Sequence, residues 1–326
     1  MEQNTRSRSS VGPLGSPTSA IKDSYGKGLL FIMISAVAWS TAGLFVRVLP
    51  LDAWTIVFWR SVFAAVFLAV HLFLVGPRHG LLPTGRGLIV AACLALAMLA
   101  FIPACQLTSI ANGAAIYATT PVFTAILAWL WLGEQIQPGI LFAVVMVVAG
   151  SCVLVCGTVS GSDIVGDAFA LVTTFINAVV TVFIRRHREE SLLASICLAN
   201  IFVSLVSMCF AAPLSPNLRD LEYLALFGLV QVWLAVVFFS AGSRRVPASQ
   251  GSLVAALETP LAPFWVWLAF GETPSLSTLI GGGIITSGTG GYLVALAVRT
   301  ARRNAGVLHD QKLLPTGWKN EARVDE

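Results

Sequence analysis

The sequence has few charged residues: 11% of its 326 residues are Asp, Glu, Lys or Arg, while 56% are hydrophobic. A typical soluble domain has about 25% charged residues, because polar side chains must cover its surface in water. This scarcity excludes an ordinary soluble protein, so lipid must cover much of the chain. The net charge of +4 predicts no nucleic-acid partner, since most Lys and Arg residues lie in tails and short loops beside apolar runs.

Motifs for metal or nucleotide chemistry are also missing. The chain contains neither H-E-x-x-H nor a nucleotide-binding glycine loop, and its apolar runs have no aspartate in their interiors and a single histidine, His71. All six cysteines lie within apolar runs, where they behave as small buried hydrophobic residues: Cys93, Cys105, Cys152, Cys156, Cys197 and Cys209. We therefore predict no enzyme activity, no cofactor and no metal site.

Long apolar runs dominate the rest of the chain. A membrane-spanning helix needs about 20 mostly apolar residues, and ten such runs lie near 28–49, 55–75, 87–107, 113–131, 139–157, 166–184, 192–212, 222–241, 251–270 and 278–298. The first run is longer than a signal-peptide core and no A-x-A site follows it, so we expect it to be retained. The sequence predicts an all-α polytopic membrane protein with ten transmembrane helices and disordered tails at 1–27 and 299–326.

The basic residues test this count independently of hydropathy. With the N-terminus inside, all but three of the 20 Lys and Arg residues fall in inner segments, as the positive-inside rule requires. The exceptions are Arg219 in an outer loop, and Arg47 and Arg60 within spans close to the outer face. A wrong number of spans would scramble this alternation. We therefore predict that both termini are cytoplasmic.

The two halves of the chain share a pattern at an offset of 138 residues. This offset superposes Gly113 on Gly251, Trp129 on Trp267, Gly133-Glu134 on Gly271-Glu272 and Gly150 on Gly288, while Pro121 and Pro260 differ by one position. We predict two related five-helix units, residues 28–157 and 166–298. Because five spans is an odd number, the second unit enters the membrane from the opposite side. Inverted repeats of this kind are typical of secondary transporters.

These residues carry a family resemblance that covers about residues 28–298. Each repeat has a span that contains proline and closes on an apolar-Gly-Glu turn, and the segments Trp39-Ser40-Thr41-Ala42-Gly43 and Phe58-Trp59-Arg60 look like a first and second helix of the same kind. In these features the chain resembles the EamA-type transporters of the drug/metabolite transporter superfamily. The resemblance implies that spans 1–4 and 6–9 surround a central cavity and that spans 5 and 10 pack outside it. It also implies transport of a small metabolite or drug across a plasma or bacterial inner membrane, without naming the substrate.

Glu258 is the most informative single residue. It is the eighth residue of the ninth predicted span, about 11 Å from the inner end at 1.5 Å per residue. An ionised carboxylate there is costly and usually faces a bundle interior or an aqueous cavity. We predict that Glu258 binds a substrate amine or exchanges a proton. The alternative is a hydrogen-bonded glutamate that stabilises the helix beside Pro260.

Six further residues complete the predicted substrate site. Arg60 is expected to attract an anionic substrate group or to pair with Glu258; the alternative is that its long side chain reaches the outer headgroups. The other five are polar or aromatic residues well inside spans one, four, six and eight: Trp39, Tyr117, Asn177, Gln231 and Trp233. Aromatic walls with a few polar groups fit a small organic solute, whereas each residue taken alone is more often a packing residue or part of an interhelical hydrogen bond.

A second set of residues is predicted to form hinges or gates. Pro121 and Pro260 each remove a backbone hydrogen bond within a span, and Gly113 and Gly251 begin the same two spans. Glu134 and Glu272 close these spans at opposite faces, which favours a gate or a helix-end contact. The alternatives are ordinary tolerance of Pro and Gly in membrane helices and solvated loop carboxylates.

Two other classes of function stay open from the sequence. A channel would show a pore ring or filter segment, and a signalling scaffold would carry a larger soluble domain; neither is visible. The expected partners are a small-molecule substrate and membrane lipid. The glycines Gly281-Gly282-Gly283, Gly288 and Gly290-Gly291 give span ten a smooth face, suited to close helix packing and to a homodimer contact.

Overall fold

The computed structural model describes residues 17–75, 83–107, 116–155, 164–187, 191–271, 273 and 275–313. These residues form helices and contain no strand. In chain order the helices are α1 (Pro17–Ser40), α2 (Ala42–Val48), α3 (Ala53–Val75), α4 (Gly85–Leu107), α5 (Thr120–Leu132), α6 (Pro138–Val155), α7 (Ile164–Arg186), α8 (Leu192–Ser207), α9 (Leu218–Phe227), a π-helical segment (Gly228–Leu234), α10 (Ala235–Ser243), α11 (Ala248–Ala255), α12 (Glu258–Phe270) and α13 (Leu276–Leu313).

The helical ends differ from the predicted tails. Helix α1 begins at Pro17, inside the segment 1–27 predicted to be disordered, and α13 continues to Leu313, past the predicted boundary at 299. Proline is well suited to the first turn of a helix, because its missing N–H has no partner there anyway. Hydropathy marks where a helix enters the lipid, and a helix continues beyond that point wherever its backbone hydrogen bonds continue.

Ten apolar helical segments overlap the ten predicted apolar runs. Within the described residues, six are long and apolar enough to cross a membrane, and four shorter apolar helices lie between them. Large apolar side chains are exposed on the outside of the bundle, including Phe73 at 78%, Leu130 at 61% and Ile164 at 84%. Such surface is stable against lipid rather than water. The protein is a multi-pass helical membrane protein, as predicted, while the number of ten crossings stays a prediction.

The two halves repeat at the level of individual helices. Helices α5 and α12 start and end at positions separated by the same 138 residues. Each stops at a glycine with a left-handed backbone, Gly133 at φ 66° and Gly271 at φ 68°. Glycine adopts this conformation without the steric cost that a Cβ would impose, and it commonly ends helices. The Gly-Glu dipeptide seen twice in the sequence is therefore a helix C-cap.

Helices α6 and α13 pack on each other in antiparallel directions. A Cβ placed on Gly150 would lie 2.7 Å from the Gly281 carbonyl oxygen, and one on Gly288 would lie 2.5 Å from Met146 Cβ. Gly139, at the start of α6, lies beside Tyr292 of α13. Small residues let helix backbones approach closely in lipid. The predicted close packing of span ten is confirmed, and its partner is span five.

The remaining helices build the centre of the protein. Helix α1 packs against α10, α11, α12 and the π-helical segment, while α3 packs against α8 and α4 against α7. Gly28 and Gly242 allow α1 to approach α10, since a Cβ on Gly242 would lie 2.7 Å from the Gly28 carbonyl oxygen. Helices of the two halves thus alternate around a shared core.

Candidate functional site

The fourth and ninth spans are both broken, at matching positions. Ala118-Thr119 forms a turn immediately before α5, and Ala256-Leu257 forms a turn between α11 and α12. The two turns lie 138 residues apart, so they are equivalent in the repeats. Each break precedes its proline: Pro121 and Pro260 lie in the first turns of α5 and α12, where an N–H has no helical partner. The prolines therefore restart these helices rather than interrupt them.

The two breaks come together through Tyr117 and Glu258. Tyr117 directly precedes the first break, Glu258 directly follows the second, and their side chains are hydrogen-bonded to each other. Glu258 is the eleventh of the 23 residues of the apolar helix Ala248–Phe270, which places it halfway along that helix. Both side chains are half-buried. The structure thus brings together two of the predicted site residues, one from each repeat, in the middle of the bundle.

The first break satisfies its free backbone carbonyls internally. The hydroxyl of Thr119 donates to the Ile116 carbonyl at 2.6 Å, and that of Thr120 donates to the Tyr117 carbonyl at 2.5 Å. At the equivalent positions the second repeat has Leu257 and Glu258, which have no hydroxyl. The second break therefore has an ionisable carboxyl group, Glu258, at the position where the first break has the neutral hydroxyl of Thr120.

Arg60 reaches a third break, which the sequence did not predict. The π-helical segment Gly228–Leu234 interrupts the eighth span, and Arg60 Nη1 donates to Gln231 Oε1 in this segment at 3.2 Å. Gly228 allows the close approach, because a Cβ there would lie 3.0 Å from both the Arg60 carbonyl oxygen and the Ala64 nitrogen. The predicted contact between Arg60 and Glu258 does not form; the guanidinium binds Gln231 instead.

The aromatic candidates Trp39 and Trp233 pack against other aromatic rings and the apolar core. Trp39 packs on Phe239, with ring centroids 4.9 Å apart, and Trp233 packs on His71 at 5.7 Å. Both tryptophans are half-buried and contact the largest apolar core cluster, as does Leu257 beside Glu258. Both tryptophans are therefore part of the apolar core, and their assignment to the substrate site stays a prediction.

Asn177 has a more local contact. Its amide nitrogen donates to the Thr173 carbonyl one turn earlier in α7, at 2.9 Å, and Thr181 donates to the Asn177 carbonyl at 2.8 Å. Its hydrogen bond thus stays within its own helix. Its assignment to the substrate site stays a prediction.

The predicted gate and hinge residues that the structure describes take part in different contacts. Glu134 forms an ion pair with Arg185 across 3.6 Å, which joins the end of α5 to the end of α7. Gly251 lies inside α11, where a Cβ would lie 3.3 Å from Ile32, rather than at the break. Gly113 and Glu272 lie outside the described residues. The gating roles of all these residues stay predictions.

One contact near the site was missed by sequence reasoning. Trp265, within the ninth predicted span, donates from Nε1 to the Ser40 hydroxyl at 2.8 Å. Ser40 ends α1 just before a turn at Thr41. The only signal in the sequence was the small polar pair Ser40-Thr41 within an apolar run.

Two further features complete the description. An apolar cavity of about 250 Å³ lies between α5 and α7, lined by Phe123, Leu171, Val172, Phe175 and Ile176. None of the predicted site residues lines it. Among the described residues, no three His, Cys, Asp or Glu side chains are grouped so that they could hold a metal ion.

Both repeats of this chain match a known protein family. The EamA-like transporter family model matches twice, at residues 26–156 and 164–294. An uncharacterized transporter of Archaeoglobus fulgidus is 28% identical over 269 residues, which cover 79% of this chain and 93% of that protein. A solved crystal structure shares the fold with a TM-score of 0.73 and 19% identity, over 84% of this chain and 99% of its own. The two-fold match spans most of both repeats, and the chain therefore belongs to the EamA-like transporter family.

Proposed function

We propose that this membrane transporter is a secondary carrier that moves a small organic metabolite or drug by alternating access. The observation that carries the proposal is the meeting of two matched helix breaks at Tyr117 and Glu258. In secondary transporters, substrate sites lie near the bilayer midplane between inverted repeats, at discontinuous helices. The position of Glu258 halfway along its apolar helix agrees with such a site.

The breaks also provide a way to change conformation. A turn within a span lets the two halves of that span tilt independently, and the same turn occurs in both repeats. Because the repeats are inverted, bending at one break opens one face while bending at the other opens the opposite face. Two such states have similar energies, which is what alternating access requires.

Glu258 is the residue that couples this movement to the solute. Its carboxyl group either binds a cationic group of the substrate or exchanges a proton when access switches. Tyr117 supports both roles, since its hydrogen bond to the carboxyl group links the two repeats and breaks or re-forms as the halves tilt. The substitution Glu258→Gln distinguishes the two roles, because each role predicts a different change in transport.

Counterflow in liposomes tests the proposal. Purified protein is reconstituted and loaded with unlabelled candidate solutes, including amino acids, polyamines, nucleosides and common drugs, and uptake of labelled solute is followed at two pH values. A carrier shows saturation and counterflow, whereas a channel shows flux without counterflow and a scaffold shows neither. Glu258→Gln is compared with Glu222→Gln, which removes an exposed carboxylate from α9.

The outcomes separate the two roles of Glu258. Loss of pH dependence with retained exchange identifies a proton-coupling group, while a selective loss of affinity for cationic solutes identifies a ligand. The Glu222→Gln variant is expected to transport like the wild type. If Glu258→Gln leaves transport, affinity and pH dependence unchanged, the assignment is wrong.

A further inference from the structure

Arg60 holds a positive charge within the bundle, and none of the described carboxylates forms an ion pair with it. Its Nη1 donates to Gln231, its Nε is buried without a hydrogen-bond partner, and its Cζ lies 5.6 Å from the Phe227 ring centroid. Within the described part of the chain, no carboxylate lies within the 4.0 Å ion-pair distance of this guanidinium. Arginine stays protonated in proteins, and a charged side chain inside a membrane span is costly and usually functional.

The depth of the guanidinium argues against a headgroup anchor. Gln231 is the fourteenth of the 26 residues of the apolar helix Leu218–Ser243, so it lies at the middle of that helix. An arginine that reaches the headgroups extends toward the nearer membrane surface. The Arg60 side chain instead extends to a residue at mid-membrane, where headgroup phosphates are absent.

The surroundings of Arg60 leave one edge of the guanidinium without a hydrogen-bond acceptor among the described residues. The Nη1 of Arg60 donates to the Gln231 side chain. Its Nε, on the edge of the guanidinium, is buried and has no hydrogen-bond acceptor in the described part of the chain. The close packing at Gly228 fixes the π-helical segment against α3 and so fixes Gln231. A planar carboxylate fits the guanidinium edge with two parallel hydrogen bonds.

We propose that Arg60, positioned by Gln231, is the subsite for a carboxylate group of the transported solute. This inference rests on the proposed transport function and deepens it by naming a substrate class: organic carboxylates with an apolar or aromatic body. The body lies against the ring of Phe227, whose centroid is 5.6 Å from the Arg60 Cζ. The carboxylate supplies the negative charge that no described side chain provides.

A matched pair of probes isolates the carboxylate. The purified full-length protein in detergent is heated with 3-phenylpropanoate or with its neutral amide, 3-phenylpropanamide. A ligand that binds the folded state raises the apparent unfolding temperature, and the rise grows with the ratio of ligand concentration to Kd. We expect a concentration-dependent rise with the propanoate and none with the amide at the same concentrations.

Three variants assign the effect to Arg60. Arg60→Gln is expected to abolish the rise, and Arg60→Lys is expected to weaken apparent affinity about tenfold, because lysine keeps the charge but loses the planar edge. Arg47→Gln serves as the matched control, since it removes an arginine near the end of the same apolar helix as Trp39. Its response to the propanoate is expected to equal that of the wild type. If Arg60→Gln fails to fold, Arg60→Lys decides the question.

Several results would overturn the subsite. These are equal stabilisation by the amide, no stabilisation by the propanoate, or an unchanged response in both Arg60 variants. A rise that requires phosphatidylglycerol in mixed micelles, depends on Arg60 and does not occur with the propanoate would identify a headgroup contact instead.

Binding and counterflow measurements distinguish failure of the proposed subsite from failure of the proposed transport function. Arg60-dependent binding of labelled 3-phenylpropanoate without counterflow in liposomes keeps the subsite and removes the carrier role. Counterflow of other solutes without Arg60-dependent binding keeps the carrier and removes the subsite.

Discussion

Tyr117 of the first repeat is hydrogen-bonded to Glu258 of the second, and each residue flanks a helix break at the equivalent position of its repeat. A hydrogen bond to a carboxyl group in a low-dielectric interior is stronger than one in water. This contact therefore stabilises the arrangement of the two breaks directly.

A double-mutant cycle measures this contact. We expect Tyr117→Phe and Glu258→Gln to be coupled by about 0.5–3 kcal/mol in the free energy of unfolding, the range for residues in direct contact. The measurement is the apparent unfolding of each single variant and of the double variant in detergent.

The matched control for this cycle is Tyr223→Phe combined with Glu258→Gln. Tyr223 packs against a different apolar cluster, with Leu49, Ile56 and Leu224, so the two changes are expected to add. If Tyr117→Phe and Glu258→Gln are also additive, the hydrogen bond between these residues contributes nothing to the free energy of unfolding.

The glycines between α6 and α13 give a second prediction. Gly150→Ala and Gly288→Ala each place a methyl group within 2.7 Å of atoms on the other helix, and overpacking of this kind costs about 1–3 kcal/mol. Both variants should unfold at lower temperature. Gly283→Ala is the control, because no heavy atom lies within 4 Å of its added Cβ and alanine favours the helix by about 0.5–1 kcal/mol. Equal behaviour of all three variants would contradict the close crossing of these helices.

The sequence predicted the repeats well because their signals are local. Glycine is needed wherever a helix ends in a left-handed conformation or crosses another closely, so Gly133, Gly150 and their equivalents were visible at a constant offset. The apolar runs located the spans because lipid requires them. These requirements act on single residues and do not depend on which helices are neighbours.

The contacts within the site could not be predicted in the same way. The partner of Arg60 depends on the π-helical segment, and the apolar pattern of Gly228–Leu234 does not differ from that of a regular span. Pro121 and Pro260 indicated a disturbance within each span, but the breaks lie just before them. Nothing in the sequence around Trp265 indicated its contact with Ser40, which lies 225 residues away along the chain.

Asp52 gives a prediction about pH. It precedes α3, and its carboxylate accepts a hydrogen bond from the Thr55 N–H at 2.9 Å. Partial burial alone would raise its pKa, but hydrogen bonds from Thr55 and neighbouring N–H groups outweigh this effect and hold the pKa of Asp52 below its ordinary value. The carboxylate therefore stabilises the folded state fully above the ordinary aspartate pKa, and this stabilisation is lost as the pH falls through the lower folded-state value.

Substitutions at Asp52 separate the cap from the charge. Asp52→Ala is expected to cost about 1 kcal/mol, the usual loss when a helix N-cap is removed, whereas Asp52→Asn keeps the acceptor and costs a few tenths. The difference in unfolding temperature between the wild type and Asp52→Asn should shrink as the pH is lowered. A difference that is independent of pH would show that the carboxylate charge has no part in the cap.

The predicted topology is tested by labelling. The basic residues predict that both termini are cytoplasmic, so a cysteine or epitope added at either end should react only after the membrane is permeabilised. A tag inserted beside Arg219, in the predicted outer loop, is the positive control and should react in intact cells. External labelling of the C-terminal tag alone would show that the number of crossings is odd, and external labelling of both tags would show that the orientation is inverted.

The ion pair of Glu134 and Arg185 gives the last prediction, on the predicted inner face. The two side chains are 17% and 21% exposed, with Glu134 at the end of α5 and Arg185 in the last turn of α7. Arg185 also donates to the Arg244 carbonyl at 3.1 Å, so the ends of three spans meet there. If this face opens during transport, these contacts must separate, and their strength sets how often it opens.

Charge reversal tests this requirement. Glu134→Arg and Arg185→Glu each place like charges together, and we expect each to lower the transport rate about fivefold or more, which corresponds to about 1 kcal/mol. The double reversal restores opposite charges and should recover most of the rate, while Glu222→Lys at an exposed position of α9 should have no effect. If the double reversal is as slow as the single variants, the positions matter for a reason other than their mutual attraction, because only an interaction between the two charges is restored when both are exchanged.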